Sequence, residues 1–199
     1  MEKEINKGSI GQVLQSQAEF CCKIESDRIA KKELGGGACL DIGIYCVQFS
    51  QFVFGGEKPE KVVASGFTNE EGVDCYGSVT FLYSGGRAAT FQYSSKVDAP
   101  CEAHVYGTDG SMSLKFPFWC SNKLQLKDGK VVEFPLPEGL QEFNFFNSAG
   151  LGYEAQHVRE CLLKCLKESP AVPHSETMTI AELMEDIRKQ IGVVYEQDA

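Results

Sequence analysis

Gly77–Tyr93, GSVTFLYSGGRAATFQY, is the stretch on which the fold class turns. Val79, Phe81 and Tyr83 alternate with Ser78, Thr80 and Leu82, and Ala89, Phe91 and Tyr93 repeat the alternation after the break. A two-residue period puts each set of side chains on one face of a strand. Ser84-Gly85-Gly86 between the two halves is a hairpin turn signal.

Working outward, the same period predicts strands at Lys61–Phe67, Cys101–Tyr106, Ser111–Phe116, Lys123–Leu126 and Lys130–Phe134. Thr108-Asp109-Gly110 and Asp128-Gly129 supply turns. Val13–Phe20 suits a further strand, and the polar segment Cys22–Leu34 reads as a loop or linker. Strand–helix alternation is missing, so this region reads as an antiparallel meander and not as a doubly wound sheet. From Gly37 to about Phe54 the pattern is helical: Leu40, Ile44, Val47, Phe49 and Phe52 recur with little polar interruption, which predicts a largely buried helix stopped by Gly55-Gly56 and Pro59. Two more helices are expected at the end. Tyr153–Lys167 carries Ala155, Val158, Leu162, Cys165 and Leu166 on one side. Ser175–Ile191 opens on the cap signal Ser175-Glu176-Thr177 and carries Ile180, Leu183, Met184, Ile187 and Ile191. The expected class is α+β, an open and mostly antiparallel sheet covered by helices on one face.

The chain of 199 residues is 43% hydrophobic and 24% charged, ordinary for a globular protein and long enough for one sizeable core. A net charge of −9 with scattered Lys and Arg argues against nucleic acid or an anionic membrane as partner. No apolar run reaches the length of a membrane span, and the polar start MEKEINKGSIGQ has no signal-peptide core, so a cytoplasmic location is expected. The nine cysteines include no C-x-x-C pair, and none of the three histidines has metal-ligand spacing to one. Buried, reduced thiols are expected, with no metal site.

The chemistry concentrates at Gly35–Tyr45, GGGACLDIGIY. Asp41 and Tyr45 are four apart and share one face of a regular helix. A carboxylate beside a phenol can orient a substrate hydroxyl while the phenol relays a proton, provided a cation lowers the phenol pKa. Three consecutive glycines allow close approach to a ligand, or a sharp turn. The same residues also describe a buried tyrosine with a satisfied hydroxyl and an aspartate bonded near a helix start. Read alone, they leave both descriptions open.

GGGACLDIGIYCVQFSQFVFGG, residues 35–56, resembles the glycine-rich D-x-G-x-[HY] segment of the glucose–fructose oxidoreductase and inositol dehydrogenase family. Collinear similarity continues through Ala18–Phe20, Phe54–Val62, Val105–Met112, Tyr153–Leu162 and Ile187–Val193. The resemblance implies that residues 13–199 form the family's C-terminal substrate-binding and dimerisation domain. Residues 1–12 would be the remnant of the last helix and crossover of an N-terminal Rossmann domain that is otherwise missing. It implies an NADP-dependent oxidoreductase moving hydride between NADP and a hydroxyl carbon of a sugar or trans-dihydrodiol. Tyr45 would be the general acid/base, and Asp41 would line the substrate pocket. The lysine that partners this tyrosine belongs to an E-K-P tripeptide of the Rossmann domain, where most of the NADP site also lies. A homodimer through the open sheet face is implied; Tyr76, Tyr106, Phe116, Phe118 and Trp119 are many aromatics for a solvated surface and either stand on that face or fill the core or a loop cluster. Two features depart from the full pattern. No G-x-G-x-x-G occurs, and Glu57-Lys58-Pro59 follows the tyrosine helix where a surface turn is expected, so Lys58 has no catalytic role. The alternative is a non-catalytic truncated subunit or interaction domain that keeps the dimer face. A binding module that uses the Asp41/Tyr45 pocket without redox chemistry is a third reading.

Overall fold

A computed structural model describes residues 1–137, 143 and 145–198. Eight strands form one sheet: β1 (Val13–Cys21), β2 (Lys61–Thr68), β3 (Asp74–Tyr83), β4 (Arg87–Ser94), β5 (Ala103–Gly107), β6 (Gly110–Leu114), β7 (Lys123–Gln125) and β8 (Val131–Glu133). The deciding hairpin is β3–β4, with Val79 opposite Phe91 and Phe81 opposite Ala89. Gly85 and Gly86 take φ of 68° and 72° at its turn, a region open to glycine at no steric cost.

The order is β2-β3-β4-β1-β5-β6-β7-β8. Each described pair is antiparallel except β1–β4, which is parallel with Ala18 opposite Phe91. The meander is therefore interrupted: the first strand in sequence slots between β4 and β5. Periodicity says which face a residue takes, not which strand lies beside it, so this insertion left no local trace.

Five α-helices accompany the sheet: α1 (Glu2–Asn6), α2 (Asp27–Ala30), α3 (Ile44–Val53), α4 (Leu151–Leu163) and α5 (His174–Ile191). α3 buries Cys46, Val47, Phe49 and Val53, and α5 buries Ile180, Leu183, Met184 and Ile187. Both pack into one cluster with Val79, Phe81, Phe91, Tyr93 and Val105. Each fully buried side chain of this size contributes about 1.5–3 kcal/mol of transfer free energy. Phe81 and Phe91 meet edge-on at 5.2 Å in this layer. On the opposite face Gln15, Gln17, Thr90 and Gln92 are exposed, so the sheet is covered on one side, as expected. Met1 and Ile5 of α1 pack against the same core.

Several expectations are corrected. Cys22–Leu34 is more than a loop: Ser26 caps α2, and a 3₁₀ turn follows at Lys32–Leu34. Within the tyrosine helix Leu40 and Phe52 are exposed, because the helix faces the sheet on one side only. α5 starts at His174 with Pro173 at its cap, leaving Ser175 inside the helix. α4 ends at Leu163, and Cys165 lies beyond it, exposed, at φ 54°. None of the residues of α4 is buried, and Leu162 and Leu163 lie open to solvent. Its apolar stripe was legible, but a stripe does not supply the surface that covers it. Of the nine thiols Cys21, Cys39, Cys46 and Cys101 are buried, and the others are partly or fully exposed. Of the five aromatics considered for the open face, Tyr76 and Tyr106 stand there, whereas Phe116 packs edge-on against Trp119. Phe118 is buried in the core, and Trp119 stacks on Phe20 on the helix side. The 135–151 loop, expected to shape a pocket, includes 138–142 and 144, which lie outside the described residues.

Candidate functional site

Tyr45 is the second residue of α3 and is 44% exposed. Its ring is braced where β1 ends. Phe20 lies 5.4 Å away, and Trp119, on the 3₁₀ turn Phe118–Cys120, stacks flat on Phe20 at 3.8 Å. Tyr45 and Trp119 are 6.3 Å apart. Phe116 meets Trp119 edge-on, and Phe146 packs against Phe116. The phenol therefore sits on an aromatic cradle with one side open to solvent.

Asp41 lies in a turn of π-helix, Cys39–Gly43, that precedes α3. Such turns close i→i+5 bonds, so the segment from Asp41 to Tyr45 is not one regular α-helix. Arg28 of α2 donates from both terminal nitrogens to the Asp41 carboxylate, Nη2 reaching Oδ2 at 3.2 Å. The Asp41 side chain is 19% exposed and that of Arg28 64%, so the pair closes over the helix start from the solvent side. Sequence reasoning missed Arg28 because it stands in the segment read as a loop. The signal that could have found it is the cap residue Ser26, whose Oγ accepts the Arg28 amide at 3.3 Å. Lys58 is a surface ion pair with Glu182 of α5, at 2.6 Å.

Beneath the π turn lies a buried polar cluster. Asp74, 1% exposed, accepts the Cys39 amide on Oδ2 at 2.6 Å. The Tyr195 hydroxyl donates to the Gly36 carbonyl. Burial pushes the Asp74 carboxyl above the usual carboxylate range, and it pushes the Cys39 thiol up to about 12. Burial likewise raises Cys21, to about 11, and Cys46. These thiols stay protonated at neutral pH and are poor nucleophiles.

The cluster explains the glycines. Gly37 has φ 139°, and a Cβ there would stand 2.8 Å from Asp74 Oδ1 and 2.9 Å from the Tyr195 hydroxyl. A Cβ on Gly36 would meet the Lys31 carbonyl oxygen at 2.6 Å. The close approach that Gly36 and Gly37 permit is to the protein's own groups, whereas a Cβ on Gly35 would meet nothing within 4 Å.

Nothing among the described residues builds a dinucleotide cradle. The one parallel pair is joined through α3 and the β2–β3 hairpin, without a glycine-rich strand-to-helix turn at a phosphate site. A groove of about 270 Å³ does exist, on the open sheet face among Gln17, Glu19, Gln92, Glu102 and His104, and Tyr45 is not part of its lining.

A one-sided open sheet whose covering helix presents a braced tyrosine defines the class. Residues 1–113 match the GFO/IDH/MocA C-terminal domain, and the chain belongs to that family. It is 45% identical over 193 residues to the trans-1,2-dihydrobenzene-1,2-diol dehydrogenase of Homo sapiens, covering 96% of this chain and 58% of that protein. The Danio rerio protein of the same name is 41% identical over 196 residues, 98% of this chain and 58% of its own length. The chain thus spans somewhat over half the length of these relatives. Among solved structures, an aldose-aldose oxidoreductase from Caulobacter crescentus complexed with glycerol superposes with a TM-score of 0.74 at 20% identity, over 95% of this chain and 56% of that one. A 3-ketoreductase from Actinomadura kijaniata, in complex with NADP, gives 0.74 at 17% identity over 98% and 58%. At such identities the likeness concerns the fold.

Proposed function

We propose that this chain supplies the substrate side of an NADP-dependent oxidoreductase that acts on a hydroxyl of a sugar or trans-dihydrodiol, with Tyr45 as the proton-transfer residue. The observation that carries this reading is the phenol of Tyr45, half-exposed on a rigid aromatic cradle, with the Asp41–Arg28 pair at the start of the same helix. The names of the curated relatives support the substrate class. The NADP bound in the Actinomadura structure supports the cofactor.

In oxidation the substrate O–H proton passes to the Tyr45 oxygen as the carbon gives up a hydride and the C–O bond becomes C=O. The nicotinamide supplies the hydride chemistry when bound, and its cradle is not built by the described residues. Tyr45 accepts the proton only as phenolate, which requires a cation close to it. Arg28 does not supply that charge, since Asp41 neutralises it at contact distance. The family resemblance implies a lysine of the family's nucleotide domain as that cation. Asp41, with its carboxylate fixed by Arg28, would orient the hydroxyls of a polyhydroxy substrate. We also propose a homodimer through the open sheet face, where Val63, Phe67, Leu82 and Tyr106 are exposed.

The test is oxidation of trans-dihydrobenzene diol and of D-xylose, followed by NADPH absorbance, with this chain joined to the cofactor-binding portion of a curated relative. Tyr45→Phe should lower turnover about 10²–10⁴-fold while NADP affinity holds. Unchanged turnover would refute the acid/base role. Micromolar NADPH binding by the chain alone would show that it holds a cofactor site after all. If the joined protein turns over neither substrate yet this chain pairs with the relative's subunits, the non-catalytic interaction reading prevails.

A further inference from the structure

We propose that Asp74 of β3 is a positioning residue for Tyr45, because its buried carboxylate acts as a remote cap that seats the π turn from which the tyrosine helix starts. The proposal rests on the reading of Tyr45 as the proton-transfer residue.

A helix start leaves amide groups without partners, and a side chain of the residue just before it usually takes one. Here neither the π turn nor α3 has a side-chain cap of its own. The acceptor comes instead from 35 residues away, Asp74 Oδ2 at 2.6 Å from the Cys39 nitrogen. A carboxylate at that place also faces the positive end of the helix.

Two further contacts fix the same segment. The Tyr195 hydroxyl holds the Gly36 carbonyl on the upstream side. On the downstream side the Tyr93 ring lies under Gly43, so close that a Cβ there would stand 3.0 Å from it. Residues 36, 39 and 43 are thereby each held by a group from outside the helix, and Tyr45 follows two positions later.

The choice of an acid is informative. Burial raises the Asp74 carboxyl, while its bond to the Cys39 amide and the buried Tyr93 hydroxyl beside it work to lower it. The gain from one charge-assisted bond and the cost of burying a carboxyl are of similar size. As a source of stability Asp74 is therefore a poor choice, and what remains as its yield is geometry: one amide held in one place.

The experiment uses the 199-residue chain, labelled with 13Cζ-tyrosine and 15N, with the Tyr45 signal assigned through Tyr45→Phe. In folded Asp74→Ala the Tyr45 and Trp119 indole signals should move, and the Cys39 amide should exchange about 10-fold faster or more. The signals of Tyr106 and Tyr153 should stay in place. Asp74→Asn, which keeps an acceptor, should restore most of the Cys39 protection and the Tyr45 position. A folded Asp74→Ala protein with Tyr45 and Cys39 unmoved overturns the proposal, and so does an Asn variant no better than Ala. If Ala prevents folding, Asp74→Leu, which fills the space without an acceptor, and Tyr195→Phe, which frees the Gly36 carbonyl, carry the same comparison. Unchanged turnover in Tyr45→Phe would remove the catalytic reading while leaving the NMR result intact, so the two failures are distinct.

Discussion

At the scale of single residues, the site joins two groups singled out in the sequence, Asp41 and Tyr45, to two that were not. Tyr45 drew notice as a phenol in an apolar helix, and the family resemblance alone gave it a role. Arg28 and Asp74 were not legible, since their meaning comes from Asp41 and Cys39, which are distant in sequence and adjacent in space. Removing Arg28 leaves the Asp41 carboxylate at the helix start without its partner. Arg28→Ala should therefore raise the KM for a polyhydroxy substrate by about 10-fold or more, consistent with loss of a charged hydrogen-bonded pair, with a smaller change in kcat. Equal kcat/KM in wild type and variant would separate the pair from substrate binding. Asp74 also sets a pH dependence. Its folded pKa lies above the value of 3.8 for the free side chain, so the fold prefers the protonated form. The stability tied to this group is present in full below 3.8 and is lost as pH rises through the folded pKa. In urea unfolding between about pH 4 and pH 7, the stability difference between Asp74→Asn and wild type should shift in favour of Asn as pH rises. A difference that stays flat or shifts the other way contradicts this assignment.

At the scale of elements, the strands were read well because alternation is a local property. β3 and β4 appear where Val79, Phe81, Phe91 and Tyr93 require them, β3 starting three residues earlier than expected, and the bounds of the other strands move by a residue or two. The helix start was read less well. A π turn in place of a regular one is imposed by contacts from β3, β4 and the C-terminal segment, none of which is visible in GGGACLDIGIY. The glycines separate the two kinds of constraint. Gly8 at φ 71° would meet nothing within 4 Å if it carried a Cβ, so Gly8→Ala should cost only the backbone strain of about 1 kcal/mol. Gly77 would place a Cβ 2.3 Å from the buried Tyr93 ring, so Gly77→Ala should lower Tm clearly more than Gly8→Ala. A smaller loss at Gly77 would mean that Tyr93 is free to move, and would weaken its role under Gly43.

At the scale of the whole molecule, two surfaces ask for partners. The open sheet face is wide and carries Val63, Phe67, Leu82 and Tyr106 among polar residues, which fits a self-association surface better than a solvated one. Sedimentation at micromolar concentration should show a dimer, and Phe67→Glu with Leu82→Glu should shift it toward monomer. A wild-type chain that is strictly monomeric under those conditions argues against this face. α4 presents Leu151, Leu162 and Leu163 to solvent, so its amphipathic pattern exceeds what the described residues cover. By itself the sequence determined the fold class, the β3–β4 hairpin, the longer helices and the position of the tyrosine, because period, turn residues and motif are written in consecutive residues. The parallel seat of β1 beside β4, the Arg28–Asp41 pair, the sorting of Phe118 and Trp119 to the helix side and the Asp74 seat beneath Gly35–Tyr45 were left to the tertiary structure. Each depends on which distant residues meet, and a contact between segments dozens of residues apart leaves no period in either of them.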